Sequence, residues 1–244
     1  MKQFIKNKLK NSAWGRKIYP YIHYVYLLYE KPRKRKRLQK HGFSIIQVID
    51  EIATRNNIPY FASYGTLLGF IRDRRFLPHD DDLDFGIISG NISPVRFLDI
   101  FLKSEKKITF HRALEFQGKI TEITLVYKKI TIDFFFYEKD GDQTFVTSYY
   151  WDATHSYPSN KENSVRFIYQ ANVNQLMKRK INSVEVSIPV NYEELLVSQY
   201  GSGWKVPDPN WNNANHPGIV NQTGYGYAVD LKRVYELEEQ RNHG

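Results

Sequence analysis

Between Pro78 and an apolar run, the stretch HDDDLDFGI sets four carboxylates into five residues, Asp80 to Asp84. Asp80, Asp82 and Asp84 share one parity, and Leu83, Phe85 and Ile87 share the other. On a strand, that alternation sends the acids to one face and the apolar chains into a core. Alternate carboxylates on one face lie ~7 Å apart, close enough to converge on one metal or on a pair. A set of oxygen ligands without thiolate suits a hard cation, Mg²⁺ or Mn²⁺, held partly by substrate phosphate. The bland alternative is an acidic turn that caps a helix or stays solvated. A further acid, Asp133, interrupts the apolar run KITIDFFFY. A lone buried carboxylate is costly without a cation or hydrogen bonds, so Asp133 reads as a metal ligand or as a base for an incoming hydroxyl. The competing reading is an edge-strand residue facing water.

Upstream, Gly65 and Thr66 precede the apolar run LLGFI, and Arg72 lies seven residues after Gly65. Free N–H groups at the positive end of a helix make a phosphate seat. Two turns on, Arg72 can grip the same phosphate in a paired fashion. Alone, GTLLG is weak, since most such glycines only permit close packing; its distance from the acids gives it weight.

These residues need elements to hold them. HGFSIIQVIDEIATRNN, from 41 to 57, has helical spacing. IPYFASY reads as a short strand, GTLLGFIRD as a helix and LDFGII as a strand. SPVRFLDIFLKSEKK reads as an amphipathic helix capped by Ser93 with Pro94 in its first turn. ITFHRAL, ITEITLVYK and ITIDFFFYEK are expected as successive strands. Residues 141–180 give no clear pattern. VEVSIPV suits a last strand, and NYEELLVSQYG a helix stopped by Gly201. The remainder, SGWKVPDPNWNNANHPGIVNQTGYGY, reads as a long loop. Helices and strands without regular alternation predict an α+β fold.

Charge divides the chain. Residues 1–40 hold 13 Lys and Arg against the single acid Glu30, whereas the other 204 residues hold 22 bases and 25 acids. A slightly acidic body argues against nucleic acid as a partner. The basic stretch interleaves Phe4, Ile5, Leu9, Trp14 and the run Tyr19 to Tyr29 with lysines and arginines. That mixture fits an anionic membrane surface, to which each basic residue contributes ~1 kcal/mol. The alternatives are an arm packed on the body or on a second subunit, and RNA contact. The expected organisation is therefore a basic aromatic arm (1–40) and one body domain (41–244). No cysteine is present, which excludes disulfides and thiolate zinc sites and suits a reducing compartment. No signal peptide or membrane-length apolar run is visible. The expected location is cytoplasmic, peripheral on the inner face of the cell membrane.

YFASYGTLLGFIRDRRFLPHDDDLDFGI resembles the LicD family, which includes the fukutin-related enzymes and carries G-[TS]-L-L-G, an arginine and P-W-D-x-D-[IV]-D. IDFFFY resembles the family's I-D-[IL]-F, and IPVNYEELLVSQYGSGWKVPDP its P-x-x-Y-x-x-x-L-x-x-x-Y-G. The likeness runs from about residue 41 to 210. It implies a nucleotidyltransferase-type α+β fold, with a mixed sheet flanked by helices. It also implies transfer of a phospho-alcohol, such as phosphocholine or ribitol phosphate, from a CDP-linked donor to a glycan. Carried over by position, Gly65, Thr66 and Arg72 are donor contacts. Asp80, Asp82, Asp84 and Asp133 are the catalytic acids, with Asp82, Asp84 and Asp133 on the metal. Tyr200, Gly201, Pro207 and Asp208 belong to a donor-lining loop. His79 stands where the family usually has tryptophan, a departure within the same donor-binding region.

The expected reaction is Mg²⁺-dependent attack of an acceptor hydroxyl on the distal phosphorus of a CDP-alcohol, releasing CMP. The acceptor would be a lipid-linked surface glycan of capsule, lipopolysaccharide or teichoic type. Three alternatives stand beside it. One is a nucleotidyltransferase adding NMP to a small molecule or protein with release of pyrophosphate. The second is a metal-dependent glycosyltransferase, disfavoured because few body residues precede Asp80. The third is a non-catalytic glycan-binding subunit. A choline donor would use an aromatic cage, for which Trp204, Trp211, Tyr225 and Tyr227 are candidates. A polyol donor would use Asn212, Asn213 and Asn215.

Overall fold

The computed structural model describes residues 13–104, 106–150, 162–211 and 216–243. The outer part of the basic arm, with Phe4, Ile5 and Leu9, lies outside the described residues, as do Asn212, Asn213 and Asn215. The remainder of the arm is part of one long helix, α1 (Ala13–Arg55), which runs without a break through the charge boundary at residue 40. Its C-terminal half buries Leu38, Ile45, Ile46, Ile49 and Ala53, the helical spacing visible in the sequence. Its N-terminal half leaves Tyr21, Tyr24, Val25, Leu28 and Tyr29 exposed. Among the described residues no helix is long and apolar enough to cross a membrane.

After α1 come β1 (Tyr60–Ala62), the one-turn helix α2 (Tyr64–Leu68), a π-turn (Gly69–Asp73), β2 (Asp82–Ile88) and α3 (Pro94–Leu102). The expected cap of α3 is present: Ser93 accepts the Arg96 N–H at 3.3 Å, with Pro94 in the first turn. Three long strands follow, β3 (Thr109–Phe116), β4 (Lys119–Tyr127) and β5 (Ile130–Asp140). The stretch that gave no clear pattern holds β6 (Gln143–Tyr150), β7 (Glu162–Ala171) and β8 (Leu176–Ile181). β9 (Val184–Pro189) and α4 (Tyr192–Tyr200) match expectation, but β9 is not the last strand. β10 (Ile219–Val229) and α5 (Leu231–His243) follow it, so the expected long loop ends in a strand. Glycine and asparagine concealed β10; it is held between β3 and β7 and carries a register shift between Asn221 and Tyr225.

The main sheet is mixed and eight-stranded, in the order β1-β2-β5-β4-β3-β10-β7-β6, and the end of β5 also pairs with β6 so that the sheet curls back on itself. β8 and β9 form a separate hairpin. Among these pairs only β2–β5 is parallel; its register sets Asp84 beside Asp133 and Phe85 beside Phe134. On the apolar face of that pair, Phe134 packs on Phe85 and on Phe97 and Phe101 of α3, with ring centroids 4.7–5.5 Å apart. Anchoring one face of β2–β5 in this aromatic cluster turns the acids to the other.

Candidate active site

Strand register assembles the acids. Asp84 and Asp133 are direct partners on adjacent parallel strands, and Thr124 of β4 is the partner of Asp133 on its far side. Strands lie about 4.8 Å apart, so three polar side chains form a row across the sheet. The Thr124 hydroxyl donates to Asp133 Oδ1 at 2.5 Å. Asp82 stands one rung away on the Asp84 face, and Asp80 lies in the turn before β2, its N–H bonded to the Leu77 carbonyl at 3.2 Å. The expected parity holds: Leu83, Phe85 and Ile87 are buried while Asp82 and Asp84 are only partly so.

The structure also shows what the sequence reading missed. Glu122, two residues before Thr124 on β4, is buried beside the row and receives Arg112 Nη2 at 3.2 Å. Arg112 Nε donates to the Thr124 hydroxyl at 3.3 Å. The signal was available: Glu122 and Thr124 share a parity opposite to the core residues Ile123 and Leu125.

Crowding shows in the acidities. Burial, then repulsion from Asp82 and Asp81, lifts the Asp80 pKa to about 7. Burial, then Asp133 and Asp81, lifts Asp82 to about 6, with Lys34 pulling the other way. Asp84 is driven well above the usual carboxylate range by burial and by its neighbours Asp82 and Asp133. Burial raises Asp133, against the Thr124 hydrogen bond and the charge of Arg112. Glu122 rises to about 7 through burial and Asp133. A group of acids that resist ionisation together calls for a cation.

The residues fit a hard divalent cation. Among the described residues no three His, Cys, Asp or Glu side chains form a ready-made metal cage. Mg²⁺ is normally held by one or two carboxylates and completed by water and substrate phosphate. Asp84 and Asp133, with Asp82 one rung away, are the residues that would hold it.

α2 and its preceding Ser63 are tied to β2 by two hydrogen bonds: Ser63 N–H to the Asp84 carbonyl at 3.0 Å and Asp84 N–H to the Thr66 side-chain Oγ1 at 2.9 Å. Thr66 is buried and fastens the short helix to the acid strand. Gly65 faces Asp80; a methyl group there would stand 3.0–3.3 Å from the carboxylate atoms. Arg72 ends the π-turn with its fork on Asp73, at 2.9 and 3.1 Å, and with Nη1 3.4 Å from the Trp204 carbonyl. It therefore joins the π-turn to the segment after α4. His79 is exposed, its Nε2 3.7 Å from Asp80 Oδ1.

Tyr200 ends α4 within the field of Asp84 and Asp80; burial and those charges raise its pKa. Its ring packs on Trp211 at 4.8 Å. Gly201 terminates the helix at φ 82°. Pro207 and Asp208 lie on an exposed turn in which Asp208 accepts the Asn210 N–H at 2.8 Å, and no described contact joins them to the acids. Trp204 is buried, while Tyr225 and Tyr227 are exposed on β10. Behind the site, the Ser63 and Tyr137 hydroxyls meet at 2.5 Å, and the Gln199 amide reaches both as well as Gln170.

Residues 57–191, more than half of the chain, match the family LicD/FKTN/FKRP, nucleotidyltransferase domain. The uncharacterized protein RP689 of Rickettsia prowazekii is 29% identical over 170 residues, covering 68% of this chain and 57% of the relative. The uncharacterized protein RT0683 of Rickettsia typhi is 30% identical over 171 residues, covering 68% and 49%. Ribitol-5-phosphate transferase FKTN of Homo sapiens is 24% identical over 206 residues, covering 82% and 41%. The chain thus spans about half the length of the curated relatives it matches.

Proposed function

The chain belongs to the LicD/FKTN/FKRP family through its nucleotidyltransferase domain, and on that premise we propose that it moves a phospho-alcohol from a CDP-linked donor to a hydroxyl of a cell-surface glycan, releasing CMP. The observation that carries the reading is the side-by-side placement of Asp84 and Asp133 on the parallel β2–β5 pair, with Asp82 beside them. The matching relative from Homo sapiens is a ribitol-5-phosphate transferase, which supports a polyol phosphate as the transferred group.

A bound Mg²⁺ or Mn²⁺ would supply electrostatic stabilisation of the phosphoryl oxygens. The chain's own residues do the rest. Thr124 and Arg112 fix the carboxylates of Asp133 and Glu122. Asp80, with a pKa of about 7, is suited to take the proton of the attacking hydroxyl. The acceptor oxygen bonds to the distal phosphorus as the bond to the bridging oxygen breaks, and that oxygen leaves on CMP. Tyr200 stands beside Asp84 and Asp80 and gives the donor an aromatic wall.

The exposed tyrosines and aliphatic residues of α1, next to the basic run Lys31 to Arg37, support a peripheral station on the anionic inner face of a membrane and a lipid-linked acceptor. Incubation with a panel of CDP-alcohols and Mg²⁺ tests the reading: CMP should appear with the preferred donor. Release of pyrophosphate from nucleoside triphosphates, with no CMP from any CDP-alcohol, would establish nucleotidyl transfer instead.

A further inference from the structure

The basic run of α1 does more than face solvent. α1 passes along the segment that precedes the acid strand and is fastened to it at several points. Leu38 is fully buried. The Gln39 amide donates to the carbonyls of Phe76 and Leu77 at 3.5 and 3.3 Å. Arg35 Nε donates to the His79 carbonyl at 3.0 Å, and Arg37 Nη1 to the Lys129 carbonyl in the β4–β5 turn at 3.5 Å. This seating brings Lys34 Nζ to 3.7 Å from Asp81 Oδ2. The Lys34 charge also favours ionisation of Asp82 and Asp133, and that of Arg35 favours ionisation of Asp80.

The other arginines near the site are committed. Arg72 is bonded to Asp73 and Trp204, and Arg112 to Glu122 and Thr124. Lys34 differs, since its one described ion pair exceeds hydrogen-bond length. Arg35 is anchored through Nε, and its other guanidinium nitrogens have no described hydrogen bond.

We propose that Lys34 and Arg35 form a phosphate clamp on α1, in which Lys34 leaves Asp81 for a phosphate group of the substrate. The proposal rests on the phosphotransfer reading above. Lys34 would be repelled by a divalent cation held among the acids and would be drawn to a phosphate bound beside it. A flexible ammonium at 3.7 Å can follow that change, while the Arg35 backbone contact keeps the helix in place. The phosphate can belong to the nucleotide donor or to the lipid linkage of the acceptor. Both present the same chemistry to the clamp.

The test uses the full chain as wild type, Lys34→Met and Arg35→Met, with thermal melting as the control for folding. Titration with CDP in Mg²⁺ reads the donor arm. Co-sedimentation with phosphatidylcholine vesicles, with and without polyprenyl phosphate, reads the acceptor arm. Each substitution should weaken one of these ligands about tenfold or more, the effect of losing a charge-assisted hydrogen bond. Mn²⁺ binding without nucleotide should be unchanged or tighter in Lys34→Met, because a competing cation has gone. Loss in the CDP arm assigns the clamp to the donor, and loss in the vesicle arm assigns it to the acceptor. Unaltered affinity in both arms, with wild-type binding present in either, overturns the clamp and leaves the phosphotransfer reading intact. A parallel titration uses inorganic pyrophosphate: if wild type binds it as tightly as CDP and the variants lose it, the clamp stands and the cytidine donor falls. A wild-type protein that binds none of these probes overturns both.

Discussion

Gly65 and Gly86 lie on either side of one strand's business, and a single methyl group separates their roles. At Gly65 the added carbon would press on the Asp80 carboxylate at 3.0–3.3 Å, the far end of a side chain that can swing away. Gly65→Ala should therefore melt close to wild type while CMP release falls at least tenfold; normal turnover would show that Asp80 needs no fixed position. At Gly86 the carbon would enter the ring of Phe61, its register partner, at 2.2–2.8 Å. Overpacking of that kind costs roughly 1–3 kcal/mol, which for a chain of this size lowers Tm by about 2–12 °C. Asp84→Asn is expected to act in the opposite sense. It replaces a carboxyl whose ionisation burial and neighbouring acids oppose by a neutral amide, so turnover should vanish while the metal-free protein melts as high as wild type or higher. A lower Tm for Asp84→Asn would mean that the row is already neutralised by other means.

Helix α1 makes element-scale predictions. Among the described residues its buried contacts begin at Leu38 and its links to the acid site at Lys34, whereas Tyr21, Tyr24, Val25, Leu28 and Tyr29 are exposed. Deleting residues 1–29 should therefore preserve melting and CMP release while ending co-sedimentation with anionic vesicles at physiological salt; persistent vesicle binding would move the membrane contact elsewhere on the protein. Gly42→Ala should do the reverse. Its methyl would meet the Phe76 ring at 2.4 Å, push α1 off the segment before the acids and lower Tm. The same element shows how far a sequence can be read. Apolar spacing identified the helix from residue 41, where one face is buried, but upstream the spacing is filled by lysines, arginines and two prolines, Pro20 and Pro32, so helix and charged arm look alike. The alternation in DLDFGII gave the first acid strand and its buried face, and the apolar run around Asp133 gave the second strand but not which face it buries. Neither could give their pairing, because register between distant strands is set by the whole sheet. Glu122 and Arg112 reach the site through that pairing, and Lys34 through the packing of α1 on the segment before β2.

For the molecule as a whole, the crowded acids set a direction for stability against pH. Asp80, Asp82 and Glu122 have folded pKa values of about 7, 6 and 7, all above those of an unfolded chain near 4. The folded protein thus holds extra protons between about pH 4 and 7, and its stability declines as pH rises through that window. In EDTA, Tm should fall from pH 5 to pH 8, and Mg²⁺ should restore it mainly at pH 8, where the carboxylates are charged. A Tm that rises with pH in EDTA would contradict the shifts. The parallel β2–β5 pair carries one more consequence, for the order of folding. In the sequence α3, β3 and β4 intervene between the strands of Asp84 and Asp133, so the contact of these acids closes a long loop and is entropically expensive to make early. The acids are kept apart while the chain is still searching. Their mutual repulsion then falls on the last stages of assembly, when the aromatic packing of Phe85, Phe97 and Phe134 is present to oppose it. With a divalent metal held by these acids as proposed, a nascent chain would gather it late, and the appearance of a Mn²⁺ site during refolding would serve as a clock for completion of the sheet.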